Sequence, residues 1–389
     1  MPAVESNTLL SRWTQMNRHT CRSCGSGAGH LVLDLGGQPA SDYFPSLDVP
    51  GPDPVYPLQM WLCSRCDLAQ LVADPTVPEE PKGVEPAALV AQAKEAVHCV
   101  GAAGLLPAGA RVAEYGSPHG GSWLELLAER NVTPAPGTTA TDIVLDCFGL
   151  MHASAQAAAL AERVARIVPG GLLLLQYHSL ATIIEDGQWN ALRHGHYAYY
   201  SMTALSAMLG AVGFSPRSAW EFDLYGGTVL LAARRDRDDR SAPDPTVRAI
   251  LAAEVRSGVC DPQVVSKLGR VALDHAHALH DWLTVQRAAG RTVLGYGAAS
   301  RAVALLRMAD VNREILAGVA DASPAKQGLR MPGTAIPVIS PTELTERRPD
   351  VVLLFVPDLM AEVRAAYPDV ETAGGRWVSV DALVSTGRR

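Results

Sequence analysis

The chain has 389 residues, with 33 Lys and Arg against 40 Asp and Glu, and a formal net charge of -7. That length is too great for one ordinary core and points to two or three domains, while the acidic balance argues against nonspecific nucleic-acid binding, which needs a basic face. No apolar run reaches the length of a membrane helix and MPAVESNTLL lacks the apolar stretch of a signal peptide, so a cytoplasmic protein with no membrane partner is expected.

Residues 1–85 are rich in Pro, Gly and Asp, with short apolar runs such as HLVLDL and YPLQMWLC. Such a segment has little core of its own and needs a staple. Cys21-Arg22-Ser23-Cys24 and Cys63-Ser64-Arg65-Cys66 supply one. Each Cys-x-x-Cys knuckle turns two thiolates toward one ion, and two knuckles complete a closed tetrahedral zinc site. With no open position, the zinc is expected to be structural. A pair of disulfides or free thiols is the alternative, the disulfides disfavoured by the absence of a secretory signal. Cys99, Cys147 and Cys260 lie in apolar surroundings and read as core residues.

Residues 86–235 change character. PAALVAQAKEAVHCVGAAGLL has helical spacing; RVAEYG reads as a strand, SPHGG as a glycine turn and SWLELLAER as a helix. TDIVLDCF, GGLLLLQYH and GGTVLLAARR read as further strands, with helices in AQAAALAERVARIV and SMTALSAMLGAVGF. This alternation predicts a wound, mainly parallel sheet. Glycines after RVAEYG allow a ligand to approach the backbone closely. Between Arg130 and Asp142 stands only NVTPAPGTTAT. That is too short for a crossover unit, so a strand-helix pair is expected to be missing.

RDRDDRSAPDP, residues 235–245, reads as a linker. A long helical stretch is expected from Thr246 to Ala289. RTVLGYGAAS then opens a second α/β sheet, continued by ILAGVAD, PDVVLLFVPD and RWVSV, so that residues 246–389 form a Rossmann-like domain. Amides at the start of a helix attract phosphate, and the acid of DASPAKQG resembles a ribose contact. The turn lacks the full Gly-x-Gly-x-x-Gly pattern, which disfavours NAD. A domain that merely packs is the plain alternative.

The zinc knuckles, the Glu-x-Gly-Ser turn, GQWNALRHGHYAYYS, GYGAASR, DASPAKQG and PGTAIPVISP together carry a resemblance that runs from Cys21 to the last strand. The chain resembles the deoxysugar C-methyltransferases, which have an N-terminal zinc-binding domain and a C-terminal Rossmann-like domain. Those enzymes use S-adenosylmethionine to methylate a carbon beside the ketone of a nucleotide-linked 4-keto sugar. The resemblance implies a cofactor turn at Glu114, Gly116, Ser117, His119 and Gly120, where Pro118-His119-Gly120 replaces the family's Asn-Asp-Gly. It implies a sugar linked to TDP or UDP, gripped through Ser300, Arg301 and Lys326, with Tyr199 on the substrate side.

C-methylation beside a ketone needs a base, and histidine suits that task because its pKa lies near working pH. His194 and His196 match the histidines of the family's Tyr-His-Glu-His; Arg193 replaces the tyrosine and Gly195 the glutamate. Tyr225-Gly226-Gly227-Thr228 stands for His-Gly-Gly-Ser. The expectation is that His196 removes the proton and His194 positions it or polarises the ketone. His178, at the mouth of the sheet, is next in line. These histidines could instead cap loops. Two other functions remain open: proton-transfer chemistry without S-adenosylmethionine, and a binding protein without catalysis.

Overall fold

Strands β1 (Gly29–Pro39) and β2 (Val55–Cys63) form an antiparallel ribbon that buries Val32, Leu33, Leu58 and Met60 on one face. Gly29 lies under the Trp61 indole, where any side chain would collide. Strand β3 (Ala69–Leu71) extends the ribbon. The fourth strand of this sheet, β8 (Ala198–Tyr199), comes from the middle of the chain and pairs Tyr199 with Ala69. The histidine segment is thereby fastened to the zinc module by backbone hydrogen bonds. The computed structural model describes residues 19–49, 51–76, 83–116, 121–235 and 242–385.

The second sheet has six strands in the order β5–β4–β6–β7–β10–β9. They are β4 (Arg111–Gly116), β5 (Thr133–Pro134), β6 (Thr141–Cys147), β7 (Ile167–His178), β9 (Phe214–Phe222) and β10 (Thr228–Arg235). Strands β5, β4, β6 and β7 run parallel, whereas β10 is antiparallel to both β7 and β9. Ile143, Val144, Leu145 and Leu172–Leu175 are almost wholly buried. A continuous apolar run is what a strand covered on both faces requires. Helices α1 (Ala87–Ala102), α2 (Leu124–Ala128), α3 (Gln156–Ala165), α4 (Leu180–Glu185) and α5 (Met202–Ala211) follow in chain order.

The short segment after Arg130 is resolved differently from the expected loss of a whole strand-helix pair. The strand survives as the two-residue β5, and only the crossover helix is missing. The loop that replaces the helix is tied down by Arg166, which donates to the carbonyl oxygens of Gly137 at 2.6 Å and Thr139 at 3.4 Å.

The helical stretch before the last sheet is also not continuous. It divides into α6 (Pro245–Ser257), α7 (Pro262–Val265) and α8 (Lys267–Ala288). Gly258 ends α6 at φ 70, the left-handed position where glycine costs least. Asp261 then caps α7, accepting from the Gln263 amide at 2.8 Å, with Pro262 in the first turn.

The third sheet is all parallel, in the order β13–β12–β11–β14–β15. Its strands are β11 (Val293–Tyr296), β12 (Val319–Ala320), β13 (Val338–Ile339), β14 (Val351–Leu354) and β15 (Arg376–Ser379). The chain winds outward in both directions from β11, so the turn after Tyr296 and helix α9 (Ser300–Met308) stand at a switch point. One core joins Val32, Leu58, Ile183, Leu279, Val303 and Leu353, binding the zinc module, α4, α8 and the third sheet together. Among the described residues no helix is long and apolar enough to cross a membrane.

Candidate active site

A cavity of about 290 Å³ opens where the three sheets converge. Its walls come from the residues before α1, the ends of β6 and β7, the segment 190–200, the turn at Tyr225, and the start of α9. His178, His196, Tyr199, Tyr225, Ser300, Arg301 and Lys326, far apart in sequence, all line it.

Two aromatic residues on the wall, Phe148 and Tyr225, have positive φ values of 59 and 54. Bulky side chains rarely take this conformation, and such strain concentrates at functional sites. Their rings meet edge to face with centroids 6.0 Å apart. Side chains at Gly226 and Gly227 would collide with Gln188 and Thr182. Only glycines let this turn press down and present Tyr225 to the cavity. Burial raises the Tyr225 hydroxyl above its ordinary pKa, so it stays protonated and can donate.

His178 ends β7 opposite Thr228 of β10. Burial, then the positive charges of Arg301 and Arg193, pull its pKa down to about 3, against a smaller opposing contribution from Gln188. It is therefore a neutral imidazole at working pH, suited to hydrogen bonding and poorly suited to accept a proton.

His196 is 8% exposed, and its Nε2 accepts a hydrogen bond of 2.8 Å from Arg193 Nε. The ring of His152 meets it edge to face at 4.7 Å. His152 Nδ1 lies 3.0 Å from the Gly195 carbonyl oxygen, which can only accept, so Nδ1 carries the proton. This residue was absent from the sequence-derived candidates. The signal for it was its place in the connection that follows β6, at the same edge of the sheet where His178 ends β7.

His194 is placed elsewhere. It is 1% exposed, does not line the cavity, and points into the zinc module. There its Nε2 lies 3.4 Å from the Pro57 carbonyl and its ring meets Tyr56 at 6.1 Å. Gly195 between the two histidines has φ 83 and donates its amide to Asp74 at 2.5 Å. A Cβ there would stand 3.2 Å from the Asp42 carboxylate. The tight turn thus sends the two histidines to opposite sides.

The other end of the cavity is cationic. Ser300 begins α9, and Arg193 Nη1 donates to its Oγ. Burial lowers the pKa of Arg301, which lies 3.7 Å from Asp358 and is also opposed by the charge of Arg193. Lys326 is 5% exposed, donates to the Ala298 carbonyl at 3.1 Å, and stands 4.8 Å from the Phe44 ring centre. Three cationic side chains around one serine suit an anionic group. Tyr199 borders this end, its hydroxyl accepting from the Arg193 amide at 3.1 Å.

At the end of β4, Glu114 is occupied by the residues that open α2. It accepts from the Trp123 amide at 2.7 Å and from the Ser122 hydroxyl at 2.6 Å. Gly116 and Gly121 leave the backbone bare, and the Cβ position of Gly121 lies 3.1 Å from Glu85 Oε1 on the cavity wall. A glycine cradle beside a carboxylate fits a cationic sulfonium with its ammonium group. No acid stands after β5, where residues 135–140 read APGTTA, so a ribose gains no carboxylate from that strand. The expected positions Ser117, His119 and Gly120 lie outside the described residues.

The cysteine cluster lies apart from this cavity. Sγ of Cys21 is 3.4 Å from that of Cys66, and Cys24 is 3.6 Å from Cys63, with all four ligand atoms within 4.8 Å of one another. A tetrahedral zinc with Zn–S near 2.3 Å has ligand separations of about 3.8 Å. The four sulfurs fit such an ion.

Comparison with known proteins agrees with both ends of the chain. The family described as "C-methyltransferase C-terminal domain" matches residues 223–380, and that described as "Putative zinc binding domain" matches residues 21–79. The C-methyltransferase NovU of Streptomyces niveus is 24% identical over 398 residues, covering 92% of this chain and 94% of that protein. Among solved structures, one described as "a putative methyltransferase" from Bacillus halodurans C-125 is similar at 14% identity and TM-score 0.29, covering 36% of this chain and 98% of that one. A Burkholderia thailandensis 1,6-didemethyltoxoflavin N1-methyltransferase, solved with S-adenosylhomocysteine, is similar at 16% identity and TM-score 0.27, covering 44% and 97%.

Proposed function

We propose that this chain, which belongs to the C-methyltransferase family, transfers a methyl group from S-adenosylmethionine to the carbon beside the ketone of a nucleotide-linked keto sugar. The observation that carries this reading is the cavity itself, which joins a histidine- and tyrosine-lined end to a cationic end. The first suits proton transfer at a ketone, and the second suits the diphosphate of an activated sugar.

In this reading Ser300, Arg301 and Lys326 hold the diphosphate, with a TDP or UDP moiety toward the third sheet. The sugar then lies between Tyr225, Phe148 and the histidines. His196 takes the proton from the carbon beside the ketone. His178, neutral because of its burial, and Tyr225, protonated for the same reason, are placed to donate to the ketone oxygen as charge develops there. Gly116, Gly121 and Glu85 hold the donor, which supplies an electrophilic methyl group. The walls from Leu89, Phe148 and Met151 exclude water from the carbanion.

Proton exchange in heavy water without a methyl donor tests this assignment. The wild-type protein should exchange the proton beside the ketone, and His196→Ala should lower the rate about 10²- to 10⁴-fold. Undiminished exchange would remove His196 from this role.

A further inference from the structure

Arg193 connects the two ends of the cavity. Its Nε donates to His196 Nε2 at 2.8 Å while Nη1 donates to Ser300 Oγ, and Ser300 lies 107 positions further along the chain. The chain has placed a permanently charged fork between the histidine and the anion site. A guanidinium on the imidazole lone pair blocks that nitrogen and disfavours the imidazolium ion. In this arrangement His196 cannot accept a proton at Nε2.

The two groups this guanidinium donates to, His196 and Ser300, carry no negative charge. Arg301 faces the same cavity and is disfavoured by Arg193, with Asp358 its ion-pair partner at 3.7 Å. Lys326 adds a third positive charge. An arriving diphosphate offers Arg193 a planar, two-pronged anionic partner that a neutral imidazole cannot match. We propose that Arg193 is a positioning residue that caps Nε2 of His196 while the anion site is empty and turns to the anion when substrate binds. The base is then exposed only when there is a substrate to deprotonate. This inference rests on the anion-binding role given above to Ser300, Arg301 and Lys326.

The groups facing His196 come from several elements. His152 follows β6 and Tyr199 lies on β8. Across the cavity stand His178 at the end of β7, Tyr225, Arg301 and Lys326, and Asp74 from the zinc module acts on Tyr199 beside it. Inorganic pyrophosphate provides a probe that lacks sugar and base. Titrating His196 by NMR in the zinc-loaded full chain should show its pKa rising by about one unit or more at saturating pyrophosphate, a tenfold gain in proton affinity. In Arg193→Gln, His196 should start above the wild-type value and rise by less than about half a unit. Arg193→Lys, which cannot span both partners, should also start above wild type and serves if the Gln variant does not fold. If pyrophosphate binds by calorimetry but wild type and variants titrate alike, the positioning role is overturned and the anion site stands. If pyrophosphate does not bind at millimolar concentration, both fall.

Discussion

Arg330 grips Asp53 with two hydrogen bonds of 2.6 Å across the boundary between the zinc module and the third sheet. Both side chains are buried, at 5% and 8% exposure, and the Gly333 amide adds a third bond to the same carboxylate at 2.7 Å. The pair fixes the loop between β1 and β2 against the β12–β13 connection that carries Lys326. The cavity owes its shape to such contacts between parts, because none of the three sheets encloses it alone.

Removing one member of this pair should be costly. Arg330→Ala leaves a buried carboxylate without its partner, and a loss of about 3–5 kcal/mol is expected. Denaturant unfolding measures it. Burial pushes the Asp53 carboxyl up, but the hydrogen bonds and charge of Arg330 with the Gly333 amide outweigh burial and hold it below the ordinary carboxylate range. A depressed carboxylate contributes stability that is full above its unfolded pKa, near 3.9, and fades as pH falls through the lower folded value. The acid limb of the stability curve should therefore flatten in Asp53→Asn.

The cysteine cluster predicts one zinc per chain. Cys63→Ser should abolish stoichiometric metal by elemental analysis. It should also destabilise the chain by several kcal/mol, since metal binding free energy is folding free energy in such modules. Because β8 pairs with β3, the damage should reach the histidine segment.

Much of this arrangement was legible in the sequence, for physical reasons that differ by element. The knuckles at Cys21 and Cys63 announce themselves because thiolate spacing is local. The strands containing Val144 and Leu174 do so because burial on both faces demands an unbroken apolar run. The division of residues 246–289 rests on Gly258 and Asp261-Pro262, terminator and cap signals inside the stretch expected to be helical throughout. The separation of His194 from His196 depends on one left-handed glycine and on Asp42 and Asp74 from a distant segment. His152 was concealed because its part in the site is set by the tertiary approach of Gly195.

At the anion end, Arg301→Ala and Lys326→Ala should each weaken nucleotide diphosphate binding by about 1.5–3 kcal/mol, the range for a hydrogen bond to a charged group. Calorimetry reads this directly. Equal affinity in both variants would place the diphosphate elsewhere.

His178 should remain neutral over the whole assay range. Its pKa of about 3 means that its ring resonances should not titrate between pH 5 and 9. His178→Gln should lower the rate without moving the acid limb of the pH profile, the limb set by the pKa of the general base. A shift of that limb would show that His178, not His196, carries the proton.

The most direct test of the central claim is methyl transfer itself. The zinc-loaded chain would be incubated with S-adenosylmethionine labelled in its methyl group and a TDP-linked 4-keto deoxysugar, and the sugar product followed by NMR. The label should be bonded to the carbon beside the ketone, with S-adenosylhomocysteine formed in equal amount. Bound sugar nucleotide that acquires no label, or label found on oxygen, would contradict it.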